Sequence, residues 1–459
     1  MTMYKIIWGS ILGLLALCAA VCAYSYIVEQ SRQKFRKRLL ARIGNAESLL
    51  QSGMHDDALN IYEDILSSLK SGAGRPFFQD VYALCKYGLG KYFRKKAADD
   101  FSACRAAIEN YEEFLHCLAS PGIDLEEAVK KIEAQCDLGL LYVILVKQVK
   151  IKNWVSYLRR AETLLETSLA YIDDIARQAA DSEDPARQEL TSTKVYASIH
   201  QALGVIALEI SATQLHKEAE RYLMEAVSSF DRALQSYSAR EYPSEYADVL
   251  GNKASAYKKL FELTANVNYM SVAVDVLKTL VDHLEKNGKT GETPEVIREL
   301  ATIHTAIAQR LMESADNEQY KETIRTSLLA ASECYERIIG LQDRATVPAT
   351  RGELAHAYKK FADVKVKLHS LDQQTSFLDE AMTLYLKSLE YVAEGSLDFA
   401  NTQCVIGDLY AAFSRTRARK DNIAKARAAY NAALKIYEEI GLVPQKRNVE
   451  LSLKGIETW

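Results

Sequence analysis

The segment of this chain that comes nearest to a reactive motif is Asn287-Gly288-Lys289-Thr290, because Gly-Lys-Thr ends the loop that holds nucleotide phosphates in many proteins. That loop needs another glycine five residues before Gly288, and His283 stands there instead. It also needs a preceding strand, which the sequence does not predict. We therefore interpret residues 287–290 as a turn between two repeats.

Other reactive residue types are present without the spacing that chemistry requires. The eight histidines and eight cysteines form no metal-binding, redox or nucleophile pattern. Six cysteines fall within predicted helices and are interpreted as reduced, buried thiols: Cys85, Cys104, Cys117, Cys136, Cys334 and Cys404. The sequence therefore predicts a protein that is not an enzyme and that has no cofactor and no metal site.

The elements that would position any functional side chain are marked by a recurring helical spacing. A small residue is followed four and eight positions later by two larger apolar residues, and positions four apart share one helix face. This pattern occurs eight times, at Ala58/Tyr62/Leu66, Ala107/Tyr111/Leu115, Ala161/Leu165/Leu169, Ala226/Phe230/Leu234, Ala273/Leu277/Val281, Ala331/Tyr335/Ile339, Ala381/Tyr385/Leu389 and Ala426/Tyr430/Leu434. Eight copies predict a repeat protein.

A second helix precedes each of these in the predicted repeat. Its marker is a small residue at Gly88, Gly139, Gly204, Ala254, Thr305, Ala355 and Gly407. The seven prolines (Pro76, Pro121, Pro185, Pro243, Pro294, Pro348 and Pro444) fall between predicted helix pairs, where the missing amide donor costs no hydrogen bond. Each unit is therefore predicted to be a helical hairpin.

Taken together, these motifs resemble the tetratricopeptide repeat in a long form. The best matches are Ile406-Gly407-x-x-Tyr410 with Ala426/Tyr430, and Leu354-Ala355-x-x-Tyr358 with Ala381/Tyr385. The resemblance implies an all-α fold: a right-handed alpha-solenoid of about eight helical hairpins with a C-terminal capping helix from Pro444 to Trp459. Independently of the resemblance, the sequence predicts one transmembrane helix before this array.

In the resembling family the first helices of successive hairpins line a concave groove that receives peptides or partner helices. Lys253 and His304 occupy positions that apolar residues fill in other repeats, and a Lys-Lys pair follows both Tyr257 and Tyr358. One hypothesis is a basic groove for an acidic or carboxylate-bearing peptide, built from Lys253, Lys258, Lys259, His304, Arg310, Lys359 and Lys360. The alternative is that these side chains only solubilise exposed helix faces.

The N-terminal stretch Ile6 to Val28 carries no charge, and its length suffices for a helix that crosses a bilayer. Six basic residues follow between Arg32 and Arg42, which favours cytoplasmic repeats by the positive-inside rule. The sequence thus predicts a single-pass membrane protein, with an anchor at 1–28, a basic juxtamembrane segment at 29–42 and the repeat array at 43–459. A cleaved secretory signal is the alternative interpretation.

Charge and architecture together limit the function. The chain has a net charge of −4, and the repeats are more acidic than this because the bases cluster before residue 43, which argues against nucleic acid as a partner. The prediction is a membrane-anchored, non-enzymatic scaffold that binds protein or peptide partners at the cytoplasmic membrane face. The alternatives are an exported envelope-assembly factor and a self-assembling homo-oligomer.

Overall fold

The computed structural model describes residues 2–70, 77–118, 125–148, 154–178, 193–289, 291–314, 318–342 and 351–457. These residues form seventeen α-helices and no strand. The helices are α1 (Thr2–Gln51), α2 (His55–Lys70), α3 (Gln79–Lys96), α4 (Phe101–Cys117), α5 (Leu125–Gln148), α6 (Trp154–Gln178), α7 (Thr193–Ser211), α8 (His216–Ser236), α9 (Pro243–Thr264), α10 (Val267–Lys286), α11 (Thr293–Met312), α12 (Lys321–Gln342), α13 (Arg351–Asp372), α14 (Thr375–Leu389), α15 (Leu397–Ser414), α16 (Arg419–Ile440) and α17 (Val443–Glu457).

The helices pack as eight successive hairpins, each made of an odd-numbered helix and the even-numbered helix that follows it. The last helix, α17, packs on α16 and α15 and buries Val449 and Ile456 in their core. The chain divides into two compact units, Met1–Tyr237 and Ser238–Trp459. Within each unit, one hairpin packs on the next through the second helix of the first and the first helix of the second, and in the first unit successive first helices (α1 and α3, α3 and α5, α5 and α7) also contact each other. The predicted all-helical repeat of hairpins is confirmed.

Close approach of the two helices in a hairpin depends on a residue without a side chain. A Cβ built at Gly407 would lie 2.6 Å from Cε1 of Tyr430, and one built at Gly204 would lie 2.5 Å from Cε1 of Phe230. Real Cβ atoms do not approach a ring so closely, so glycine is what lets the ring reach the backbone of its partner helix. The small residue and the aromatic residue of the predicted pattern therefore meet face to face.

The structure corrects the register of two repeats. In the second hairpin Gly90 lies against Tyr111, whereas Gly88 lies against Tyr62 of the preceding hairpin. In the eighth hairpin the Tyr430 hydroxyl donates to Asp408, next to Gly407, while in the seventh the Tyr385 hydroxyl donates to Asp363, next to Ala362. Ala362, not Ala355, is therefore the counterpart of Gly407.

Three prolines lie at helix starts, as predicted. Pro243 begins α9, Pro294 is the second residue of α11 and Pro444 is the second residue of α17. There the missing amide donor would have had no helical acceptor. The other four prolines, together with Thr290 and Trp459, lie outside the described residues.

The predicted membrane localisation needs correction. Among the residues that the structure describes, no helix is long enough and apolar enough to span a bilayer. The prediction of a single-pass membrane protein with cytoplasmic repeats is therefore wrong.

The basic segment 29–42 is a continuous part of α1 and contacts the helices that follow. The Arg36 guanidinium donates through Nε to Asp80 of α3 at 2.9 Å, and Arg42 Nη2 lies 2.6 Å from Oδ2 of Asp64 of α2. Leu39, which lies between Arg36 and Arg42 in the sequence, is buried in the core of the first hairpins. These bases therefore pair with acids of the first two hairpins.

The contact between Gly407 and Tyr430 gives a prediction about stability. Gly407→Ala should lower the free energy of unfolding by about 1–3 kcal/mol, because the added methyl group overpacks against a buried ring. Gly340→Ala is the matched control, since it also lies in a helix but has no atom within 4 Å of the added Cβ. There the better helix propensity of alanine should raise stability by about 0.5–1 kcal/mol. Chemical denaturation of both variants would check this, and equal effects would contradict the proposed packing.

Candidate functional site

A cavity with a volume of about 580 Å³ lies in the first unit. Three successive first helices, α1, α3 and α5, form most of its wall, and Tyr62 of α2 closes it. Its lining consists of Glu47, Leu50, Gln51, Tyr62, Tyr87, Gly88, Lys91, Lys95, Val129, Lys130 and Glu133. The volume falls in the range of about 300–1,000 Å³ that is usual for ligand sites.

On one side of this cavity the polar groups are already paired. The Tyr87 hydroxyl donates to Glu133, and burial raises the pKa of Tyr87, so the hydroxyl keeps its proton. Lys91 Nζ lies 3.2 Å from the same carboxylate and 4.8 Å from the centre of the Tyr87 ring. These three residues therefore form a rigid, nearly neutral wall.

The opposite side holds a polar group that is not satisfied. Tyr62 is fully buried at 0% exposure, and its hydroxyl oxygen has no hydrogen-bond partner among the described residues. Burial also raises the pKa of Tyr62, as does the nearby charge of Glu47, so the hydroxyl remains a donor. A buried donor without an acceptor costs about 1–3 kcal/mol of folding free energy.

Lysine side chains surround the mouth of the cavity. Lys95 Nζ donates to the backbone carbonyl of Leu50 at 3.3 Å, which leaves two of its three N–H groups for other acceptors. Lys91 and Lys130 also line the cavity, as do the carboxylates of Glu47 and Glu133, and Lys91 is paired with Glu133. The arrangement can therefore donate hydrogen bonds through Lys95.

In the second unit, the predicted basic residues are distributed over separate recesses. Lys359 and Lys360 line a cavity of about 410 Å³ with His356 and Tyr391. Lys360 also borders a smaller recess of about 240 Å³ formed by α11, α12 and α13. Arg310 lies at a third recess, near Ser271. The structure thus brings Lys359 and Lys360 together but not the whole predicted set.

Each of the remaining predicted groove residues lies in a different environment. Lys258 Nζ lies 3.7 Å from Glu299 of α11, and Lys253 Nζ lies 6.0 Å from the centre of the Tyr257 ring. Lys259 is half-buried on α9. His304 is buried at 8% exposure, so it does not offer its ring to a groove surface.

The residues that sequence reasoning missed are those of the first-unit cavity, Tyr62 and Gly88 above all. The signal available in the sequence was a second glycine in α3. Gly88 and Gly90 both occur there, although a hairpin needs only one glycine in contact with the aromatic residue of its own second helix. Among the residues whose side chains are described, no group of three or more His, Cys, Asp or Glu could hold a metal ion. The chemistry of the cavity is that of hydrogen bonding and charge pairing.

Comparisons with known proteins give only distant structural likeness. No protein-family model matches the chain, and no curated protein matches it. The nuclear import adaptor Nro1 of S. pombe aligns at 14% identity and a TM-score of 0.45, over 71% of this chain and 98% of Nro1. RapI aligns at 10% identity and a TM-score of 0.38, over 92% and 97%. The quorum sensor NprR from B. thuringiensis aligns at 12% identity and a TM-score of 0.35, over 92% and 99%.

The burial of His304 generates a prediction about pH. Burial and the charge of Lys278 lower its pKa to about 4, against an ordinary value of 6.5, so the folded state resists protonation. The contribution of this neutral histidine to stability is complete above pH 6.5 and is lost as the pH falls toward 4. At pH 5 the loss should be about 2 kcal/mol relative to pH 7.

His304→Gln should reduce that loss, because glutamine does not titrate in this range. The measurement is urea unfolding at pH 7 and pH 5, with His216→Gln as control, since His216 is exposed. If the acid sensitivity of His304→Gln equals that of the control, the buried histidine is not its source.

Proposed function

We propose that this chain is a non-enzymatic helical-repeat protein that binds a protein or peptide partner on the face formed by the first helices of its hairpins. The observation that carries the proposal is the cavity of about 580 Å³ among α1, α3 and α5. Three consecutive repeats contribute to it, so an elongated ligand could follow the repeat direction from one hairpin to the next.

The composition of the cavity supports a protein ligand. Its wall combines apolar surface from Leu50, Val129 and tyrosine rings with several donors that have hydrogen-bonding capacity left. Binding sites for peptides commonly pair an apolar surface with a few polar groups that fix orientation. A helical-hairpin frame also gives such a site a fixed geometry, which lowers the ordering cost of binding.

We propose no catalytic role because of the contacts that the titratable side chains lining this cavity already make. Glu133 accepts from Tyr87 and pairs with Lys91, and Lys95 donates to a backbone carbonyl. No Ser, Cys or His contributes to the lining, and nucleophilic catalysis most often uses such residues next to a base. The site therefore has groups for recognition.

Site-specific photo-cross-linking in the cell of origin tests the proposal. A benzophenone amino acid at Gln51, which is exposed and lines the cavity, should give discrete cross-linked species with the intact chain. The control is the same amino acid at Arg105, which is exposed on the second helix α4. The same products at both positions, or none at position 51, would contradict binding on this face.

A second binding region in the second unit is favoured by one observation. Lys359, Lys360 and His356 line a cavity of about 410 Å³ that also contains Tyr391 and Asp398. Together with Lys258, these lysines belong to the basic set predicted to accept an acidic peptide. We propose this region as an accessory contact for an acidic segment of a protein or peptide partner.

The double variant Lys258→Glu/Lys359→Glu tests the accessory contact. Recovery of the partner in a quantitative pull-down with the intact chain should fall about tenfold, because two attractive charges become repulsive. Lys420→Glu/Lys435→Glu changes the net charge equally at exposed positions and should leave recovery unchanged. Equal recovery with both double variants would remove the basic region from the function.

A further inference from the structure

The first helix is much longer than the helices that pack on it. Helix α1 has 50 residues and α2 has 16, which correspond to about 75 Å and about 24 Å. Helix α3 runs beside the same C-terminal part of α1 as α2 does, because Asp80 near its start bonds to Arg36 and Lys95 near its end bonds to the carbonyl of Leu50. The N-terminal part of α1 therefore extends beyond the first two hairpins.

The extended part of α1 exposes large apolar side chains. Val21 is 57% exposed, Tyr24 71%, Tyr26 66% and Ile27 64%. They end the stretch from Ile6 to Val28, which carries no charge on any side of the helix. A helix that is apolar all round is normally buried, and contiguous exposed apolar surface marks a site of interaction.

The helix has one face turned to its own hairpins and an opposite face that is open. The first face is buried at intervals of four, three and four residues, at Leu39, Ile43, Ala46 and Leu50. Two residues earlier at each step, about 200° around the helix, all four side chains are exposed: Lys37, Ala41, Gly44 and Ser48. A Cβ built at Gly44 meets no atom within 4 Å, so the chain does not cover this face itself.

Small residues follow the open face into the extended part of α1. Continued toward the N-terminus at the same intervals, the open face reaches Ile27 and then Ala23, Ala20, Ala16, Gly13 and Gly9. Alternating steps of three and four keep one side of a helix toward a partner helix, and small residues there let the two backbones approach closely. The open face thus has the spacing of a helix-pairing surface over nearly three heptads.

The charges of this region favour a second copy of the same chain as the partner. No like charges would meet between residues 6 and 28 of two copies, because that stretch has none. Two of the bases that follow, Arg36 and Arg42, are paired with Asp80 and Asp64 of their own chain. Lys34 lies on the open face seven residues after Ile27, which is about 10 Å along the helix, or about one Debye length.

We propose that two copies of this chain pair in parallel through the open face of α1 between Gly9 and Ile27. Side-chain size on this face rises from glycine through alanine to Ile27. Parallel pairing in register brings the glycines together at the far end and places the two bulky Ile27 side chains where the hairpins of both copies need room. The dimer would present two sets of hairpins to one partner, which raises avidity. This inference does not depend on the proposed function.

Disulfide formation between introduced cysteines tests the pairing. In the full chain with Cys18→Ser and Cys22→Ser, Ala23→Cys should give a species of twice the chain mass when cells of origin are treated with an oxidant. Close packing at this position brings the two Cα atoms within the roughly 4.4–6.8 Å that a disulfide needs. Ser25→Cys is the matched control, because Ser25 is equally exposed but lies on the opposite side of α1, and it should give no such species.

A second substitution links the disulfide to the small-residue face. Ala20→Leu, added to Ala23→Cys, should lower the disulfide-linked fraction about tenfold, because the larger side chain holds the backbones apart. Ser25→Leu adds the same side chain on the opposite side and should leave that fraction unchanged. Positions 20, 23 and 25 precede the part of α1 that α2 and α3 cover, so all variants should keep the melting temperature of the unchanged protein.

The possible results separate cleanly. A disulfide-linked dimer at position 23 that is absent at position 25 and lost with Ala20→Leu supports parallel pairing. No dimer at position 23, equal dimer at both positions, or a dimer that Ala20→Leu leaves unchanged overturns it. A product of any other mass at position 23 also overturns it, because a different protein then covers this face.

Discussion

The constraint on which this fold depends is the contact between an aromatic ring on one helix and a residue with little or no side chain on the next. A hairpin of two amphipathic helices cannot bury its apolar face alone, so each must stack on its neighbours. At Gly90, Gly204 and Gly407 the ring approaches the backbone of the facing helix directly. This approach sets how closely the helices pack and therefore where every side chain on the first helices is placed.

Burial of tyrosine rings creates a second requirement, because each hydroxyl then needs an acceptor. Tyr111, Tyr385 and Tyr430 meet it with aspartates, Asp137, Asp363 and Asp408. Tyr62 breaks this pattern among the described residues. The unpaired hydroxyl lowers stability, and the aspartates of the other three repeats avoid that cost.

Much of the architecture could be predicted from the sequence, because spacing on a helix and proline position are local properties. The register between helices could not be predicted, because it depends on which of two candidate small residues meets the aromatic ring. In the second hairpin this residue is Gly90 and not Gly88, and in the seventh it is Ala362 and not Ala355. The burial of His304 was missed for the same reason, because its face is defined only once α10 and α12 pack beside α11. The membrane localisation was inferred from the uncharged stretch and the basic residues after it, whereas the residues that the structure describes contain no helix able to span a bilayer.

The lysines show why composition alone cannot locate a site. Lys258, Lys360 and Arg310 each lie within 4 Å of an acid, and exposed pairs of this kind contribute little free energy and attract a ligand only weakly. Lys95 differs in its surroundings, because it donates to the backbone carbonyl of Leu50 and lines the 580 Å³ cavity. The number of bases on a helix face therefore does not by itself locate a binding site.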